Sequence, residues 1–161
     1  DTDTDTGASD TGTTDTGADD TGDKEEPLVA IYAEDVTITA GTSAEVIVGM
    51  TNEVEVAGIQ YELHWDSSAM AVETLISTER VSAFEMAYSS WPTSVVVLVF
   101  SLSGDAIETG DDGIATATVM VEADAPPGEY LLSVEGVVVS DEDGVAIPSI
   151  GVSGTVTVVA D

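Results

Sequence analysis

Cysteine is absent from these 161 residues, and basic residues nearly so: Lys24 and Arg80 are the only two, against 32 Asp and Glu, for a formal net charge of -30. Without cysteine there is no disulfide framework, no thiolate metal site and no thiol nucleophile. Without basic residues the chain has little to hold a phosphate backbone or an anionic membrane surface, which excludes nucleic-acid and lipid-headgroup partners. Aromatic residues are sparse, at 5% of the chain. The longest apolar run, Val95 to Phe100, is far too short to cross a bilayer. No basic stretch followed by an apolar run opens the sequence, as expected of a mature or trimmed chain. The acidity itself supports solubility and steering toward a partner with a basic face.

What is present divides into two parts. Residues 1–26 consist almost wholly of Asp, Thr, Gly, Ser and Ala, with ten carboxylates and one lysine. That composition cannot bury a core, so it is expected to be a disordered, self-repelling linker. Apolar sequence begins at Pro27-Leu28, and residues 27–161 are expected to form one β-rich domain.

In this second part, short β-prone runs alternate with Gly, Pro, Asn and Asp turns, the spacing of an all-β sandwich. Eight or nine strands can be counted: Leu28–Thr39 with a break near Glu34-Asp35, Ala44–Thr51, Gly58–Trp65, Met70–Ile76, Val95–Leu102, Ile114–Glu122, Tyr130–Val139, a short run about Val145–Ile150, and Thr155–Val159. Gly58–Trp65 alternates cleanly, with Ile59, Tyr61, Leu63 and Trp65 on one face and Gln60, Glu62 and His64 on the other. Between Thr78 and Tyr88 the spacing of Val81, Phe84 and Tyr88 fits a short helix or an irregular loop.

Several blocks, in this order, resemble the cohesin family: Val56-Ala-Gly-Ile-Gln-Tyr-Glu-Leu-His-Trp-Asp66, Trp91-Pro92 leading into Val95–Phe100, Asp112–Val121, Ala125-Pro-Pro-Gly-Glu-Tyr-Leu-Leu132 and Gly154–Val158. The resemblance spans Leu28 to Asp161. It implies an all-β, nine-stranded sandwich with jelly-roll-like topology and a non-catalytic role in binding dockerin modules, which anchors or assembles surface or polysaccharide-degrading proteins. It also implies that the partner lies across one sheet, made of the third, fifth, sixth and eighth strands. Counting Val95–Phe100 as the fifth strand and Asp112–Val121 as the sixth gives Gly58, Gln60, Glu62, His64, Val95, Val97, Val99, Thr116 and Thr118 as partner-binding candidates. At Gly58 and Gln60 several family members have Asn and Asp, so the chain departs from their polar contacts.

The residues also speak for themselves. Val95–Phe100 is apolar at every position, so turning Val96, Leu98 and Phe100 inward leaves Val95, Val97 and Val99 as an exposed stripe, unless a loop or tail covers it. Trp91, in a loop at the rim of the same sheet, reads as an interface anchor or a buried plug. His64 has Glu62 on its face but no second nitrogen or sulfur ligand, which is poor for zinc and fits a solvated strand residue. Asp1, Asp3 and Asp5 open like a calcium loop, yet Thr6 and Gly12 stand where it needs glycine and glutamate. Asp111-Asp112 and Asp141-Glu142-Asp143 leave calcium open as a ligand, although turn acidity explains them equally. No cofactor is expected, and no nucleophile elbow or catalytic triad is recognisable. A carbohydrate-binding module and a structural subunit pairing through an edge strand stand as alternatives. The expected location is extracellular or at the cell surface, held through the N-terminal linker.

Overall fold

The computed structural model describes residues 25–161. The linker expected at residues 1–26 and the calcium-like Asp1, Asp3 and Asp5 therefore lie, but for Glu25 and Glu26, outside the described residues. The strands are β1 (Val29–Ala33), β2 (Val36–Thr39), β3 (Ser43–Asn52), β4 (Gly58–His64), β5 (Met70–Ser77), β6 (Glu85–Trp91), β7 (Ser94–Phe100), β8 (Gly110–Val121), β9 (Gly128–Ser140), β10 (Ala146–Ile147), β11 (Ser149–Val152) and β12 (Gly154–Val159). They form two sheets. One has the order β11-β1-β3-β8-β5; the other runs β2-β12-β9-β4-β7-β6, with β10 also on β9.

The two sheets make the all-β sandwich expected from the sequence, with more strands than the nine anticipated. Part of the difference is a split at Glu34-Asp35, which divides the first run into β1 on one sheet and β2 on the other. Another part is the division of the run about Val145–Ile150 into β10 and β11; what remains matters more for function. Thr78–Tyr88 holds only a 3-10 turn at Glu79–Val81, after which Glu85–Trp91 is a strand paired along its whole length with β7. The helical spacing had its source in that turn: Val81 and Phe84 are buried beside it, while nearly every residue of β6 is exposed.

The core lies between the sheets and is filled by alternate residues. Ile59, Tyr61 and Leu63 of β4 meet Val46, Val48 and Met50 of β3 and Ala115, Ala117, Val119 and Val121 of β8 within one buried cluster. Small alanines on β8 let the facing β4 side chains be large. At Gly49, where the β3–β8 ladder shifts register, the Tyr32 ring covers the backbone so closely that a Cβ would fall 2.2 Å from its Cζ. A larger residue there would have to displace the ring.

Arg80, in the 3-10 turn, ties that turn to one end of the β3–β8 ladder. Its Nη1 donates to the carbonyls of Met50 (2.5 Å) and Asp112 (2.8 Å), and its Nη2 to Asn52 Oδ1 (2.6 Å). The Asn52 side chain, the one buried polar side chain among the described residues, donates in turn to the carbonyls of Val54 and Glu108.

Candidate functional site: the outer face of the β9-β4-β7-β6 sheet

Residues directly paired in antiparallel strands put their side chains on the same face. Carrying the outward residues of β4 across the sheet gives four rows. The first is Ser140, Gly58, Phe100 and Glu85; the second is Val138, Gln60, Leu98 and Ala87. The third is Glu135, Glu62, Val96 and Ser89; the fourth is Ser133, His64, Ser94 and Trp91. The middle of this face is apolar and open to solvent: Leu98 is 42% exposed, Phe100 37% and Val138 54%.

Two shallow hollows meet at Leu98. One, of about 210 Å³, is bounded by Gly58, Gln60, Phe100, Val138 and Ser140, and the missing side chain of Gly58 opens it. The other, of about 230 Å³, lies among Ala87, Tyr88, Ser89, Trp91 and Val96. Contiguous exposed apolar surface of this kind marks a site of association. Carboxylates flank it, with Glu85 at one end and Glu62 and Glu135 at the other. His64 Nε2 lies 2.8 Å from Glu62 Oε2 and 3.9 Å from Glu135 Oε2.

Of the residues singled out from sequence, Gly58, Gln60, Glu62 and His64 stand together on this face, half-buried. Trp91 stands at its corner, not in a loop: it ends β6 and is 53% exposed. Val95, Val97 and Val99 are a correction. They point into the core and are almost wholly buried, while Val96, Leu98 and Phe100 face outward. The register decides this, because Val97 pairs with Tyr61 and Val99 with Ile59, whose side chains are interior.

Thr116 and Thr118 are a second correction. They belong to β8 on the other sheet, where Thr118 accepts a hydrogen bond from Thr74 Oγ1 at 2.8 Å. Overlooking β6 shifted the strand count by one and moved β8 onto the wrong face. The two places in chain order given to 95–100 and 112–121 are filled on this sheet by β6 and β7.

Val138, Glu135, Leu98 and Phe100 were missed as site residues. Pro92-Thr93 forms the two-residue connection between β6 and β7, with Trp91 paired to Ser94 across it. It lacks the glycine or asparagine that marks a two-residue hairpin turn, so the sequence carries little sign of β6.

Elsewhere the acidic turns satisfy themselves. Asp111 accepts the Tyr32 hydroxyl (2.7 Å), Asp112 the Gly113 amide, and Asp141 the amides of Asp143 and Val145. Among the described residues no group of three or more His, Cys, Asp or Glu is placed to hold a metal ion, and no helix is long and apolar enough to cross a membrane.

The structure is a jelly-roll-like sandwich with an open apolar sheet face flanked by carboxylates. The Cohesin domain profile matches residues 29–158, and the chain belongs to that family. Solved structures agree in fold. A Clostridium thermocellum type I cohesin–dockerin complex, with the OlpA cohesin, matches at 22% identity and a TM-score of 0.73, over 82% of this chain and 99% of that one. A non-cellulosomal cohesin from the hyperthermophilic archaeon Archaeoglobus fulgidus matches at 19% and 0.71, over 81% and 91%. The CohA2 cohesin of Clostridium acetobutylicum matches at 19% and 0.69, over 82% and 91%. No curated protein sequence matches.

Proposed function

We propose that this chain is a non-catalytic protein-binding module that receives a dockerin-type partner across the β9-β4-β7-β6 face, and that it anchors or assembles proteins outside the cell. The observation that carries the proposal is the open apolar centre at Leu98, Phe100 and Val138, which a monomer gains nothing by exposing. Membership of the cohesin family and the dockerin complexes of its structural relatives support the choice of partner. The acidic Asp/Thr segment ahead of the domain suits a spacer that holds it away from an envelope.

Calorimetric titration against a panel of calcium-loaded dockerin modules tests the proposal. Binding is expected for the wild-type chain, lost in Leu98→Asp and kept in Thr116→Lys on the opposite sheet. A panel with no binder, or a Leu98→Asp variant that binds as well as wild type, overturns it. For location, protease treatment of intact cells of the source organism is expected to remove the domain, and full protection would place it inside.

A further inference from the structure

A bulge in β9 sets two carboxylates side by side on the docking face. In an unbroken ladder Gly136 would stand opposite Glu62. Instead β9 carries one extra residue between the partners of Gln60 and Glu62, Gly136 takes φ +57°, and Glu135 pairs directly with Glu62. A Cβ on Gly136 would lie 3.1 Å from the Glu62 carboxyl, so glycine suits both the backbone and the space. Like charges directly opposed across a sheet cost stability.

Among the described residues, His64 is the one basic group at the pair, and it lies closer to Glu62 than to Glu135. The other residues around it are uncharged: Val96 on β7, Ser89 on β6, and Ser94 and Ser133 in the next row. Of the chain's two Lys and Arg residues, Arg80 has its guanidinium engaged at the end of the β3–β8 ladder in the opposite sheet.

We propose that Glu62 and Glu135 form an anionic clasp for one Lys or Arg side chain of the docked partner. This rests on the docking face proposed above and narrows its occupant: a helix whose apolar stripe covers Leu98, Phe100 and Val138 and whose flank carries a basic residue. The partner's cation then relieves a repulsion that the free domain bears. The negative field of the whole chain speeds the encounter with such a partner.

Two synthetic amphipathic helical peptides test this on the full chain. They share a leucine stripe and differ only in a flank of Arg or of Gln. Nuclear magnetic resonance locates the binding and calorimetry measures it. Both peptides are expected to shift the amide signals about Leu98 and Val138, with the Arg peptide roughly tenfold tighter at low salt. Glu62→Gln with Glu135→Gln is expected to remove that gain, leave the Gln peptide unchanged and raise the melting temperature. The same change of charge at Glu45 and Glu73, on the five-stranded sheet, is expected to keep most of it.

Equal binding of the two peptides, a gain that survives the first double substitution, a gain lost equally in the second, or no binding at this face overturns the clasp. Dockerin binding that Leu98→Asp abolishes but Glu62→Gln/Glu135→Gln leaves untouched overturns the clasp alone. Success of the peptide arms with an unresponsive dockerin panel removes the dockerin reading and leaves the clasp standing.

Discussion

Tyr61 points into the core from β4, and its hydroxyl meets no hydrogen-bond partner there. Burial alone pushes this phenol well above its ordinary range. Since an unpaired buried hydroxyl costs about 1–3 kcal/mol, Tyr61→Phe is expected to leave stability unchanged or raise it by about 1 kcal/mol in urea denaturation. A clear loss would mean that the hydroxyl has a partner, such as an internal water.

Tyr32 differs in having a partner. Burial first, then its hydrogen bond to Asp111 and the charges of Asp111, Glu34 and Asp112, push it up to about 12. The same hydroxyl, with that of Thr51, holds Asp111 below the usual carboxylate range. The folded state thus keeps the Tyr32 proton where the unfolded chain, near 10, has lost it. This stability is complete below pH ~10 and lost as pH climbs toward 12. The Asp111 share is present above the unfolded carboxylate pKa, about 3.9, and lost as pH falls through the depressed folded value. Tyr32→Phe is expected to flatten the alkaline fall in the urea midpoint in part, because Tyr61 still contributes. The double Phe variant should flatten it further, and an unchanged alkaline limb would show that neither phenol governs it.

At the scale of elements, β7 separates what can be read from sequence from what cannot. The clean alternation of β4 revealed its inner and outer residues, because polar and apolar positions take turns there. On β7 every residue from Val95 to Phe100 is apolar, so composition carries no parity. Only the pairing of Val97 with Tyr61 supplies it. The strand β6 stayed hidden for a related reason: it is an edge strand whose Tyr88, though paired with buried Val97, is 47% exposed, so neither of its faces is reliably apolar.

That parity is open to experiment. Val97→Asp buries a carboxylate in the core and is expected to cost on the order of 4–5 kcal/mol or prevent folding, whereas Leu98→Asp, one residue on, is expected to cost about 1 kcal/mol while abolishing partner binding. Circular dichroism melting of the pair checks this, and the reverse order of stabilities would restore the Val95, Val97, Val99 stripe. The 3-10 turn has its own anchor in Arg80. Arg80→Met strands the buried Asn52 oxygen and is expected to cost about 2 kcal/mol, with faster amide exchange at that end of the β3–β8 ladder. Exchange unchanged there would assign the turn's position to Val81 packing instead.

For the molecule as a whole, a formal charge of -30 on 161 residues dominates the electrostatics, and among the described residues only His64 lies within ion-pair distance of carboxylates. With two Lys and Arg residues in the chain and Arg80 turned to carbonyls, the carboxylates repel one another across the sandwich surface. Compaction brings them closer than an expanded chain would, so repulsion opposes folding. Salt screens this over a length of about 30 Å at 0.01 M, about 8 Å at 0.15 M and about 3 Å at 1 M. Most of the relief should therefore come below about 0.15 M, where the screening length falls from the size of the domain to the spacing of neighbouring carboxylates. The melting temperature is expected to rise by several degrees over that range in sodium chloride, on the order of 1 kcal/mol of stability, and then to level off. Potassium chloride at equal ionic strength should trace the same curve, since screening depends on charge and not on the ion. A melting temperature indifferent to salt would show that the unfolded chain carries the same repulsion. A rise that continues linearly into molar salt, or differs between the two cations, would point to specific ion binding in place of screening.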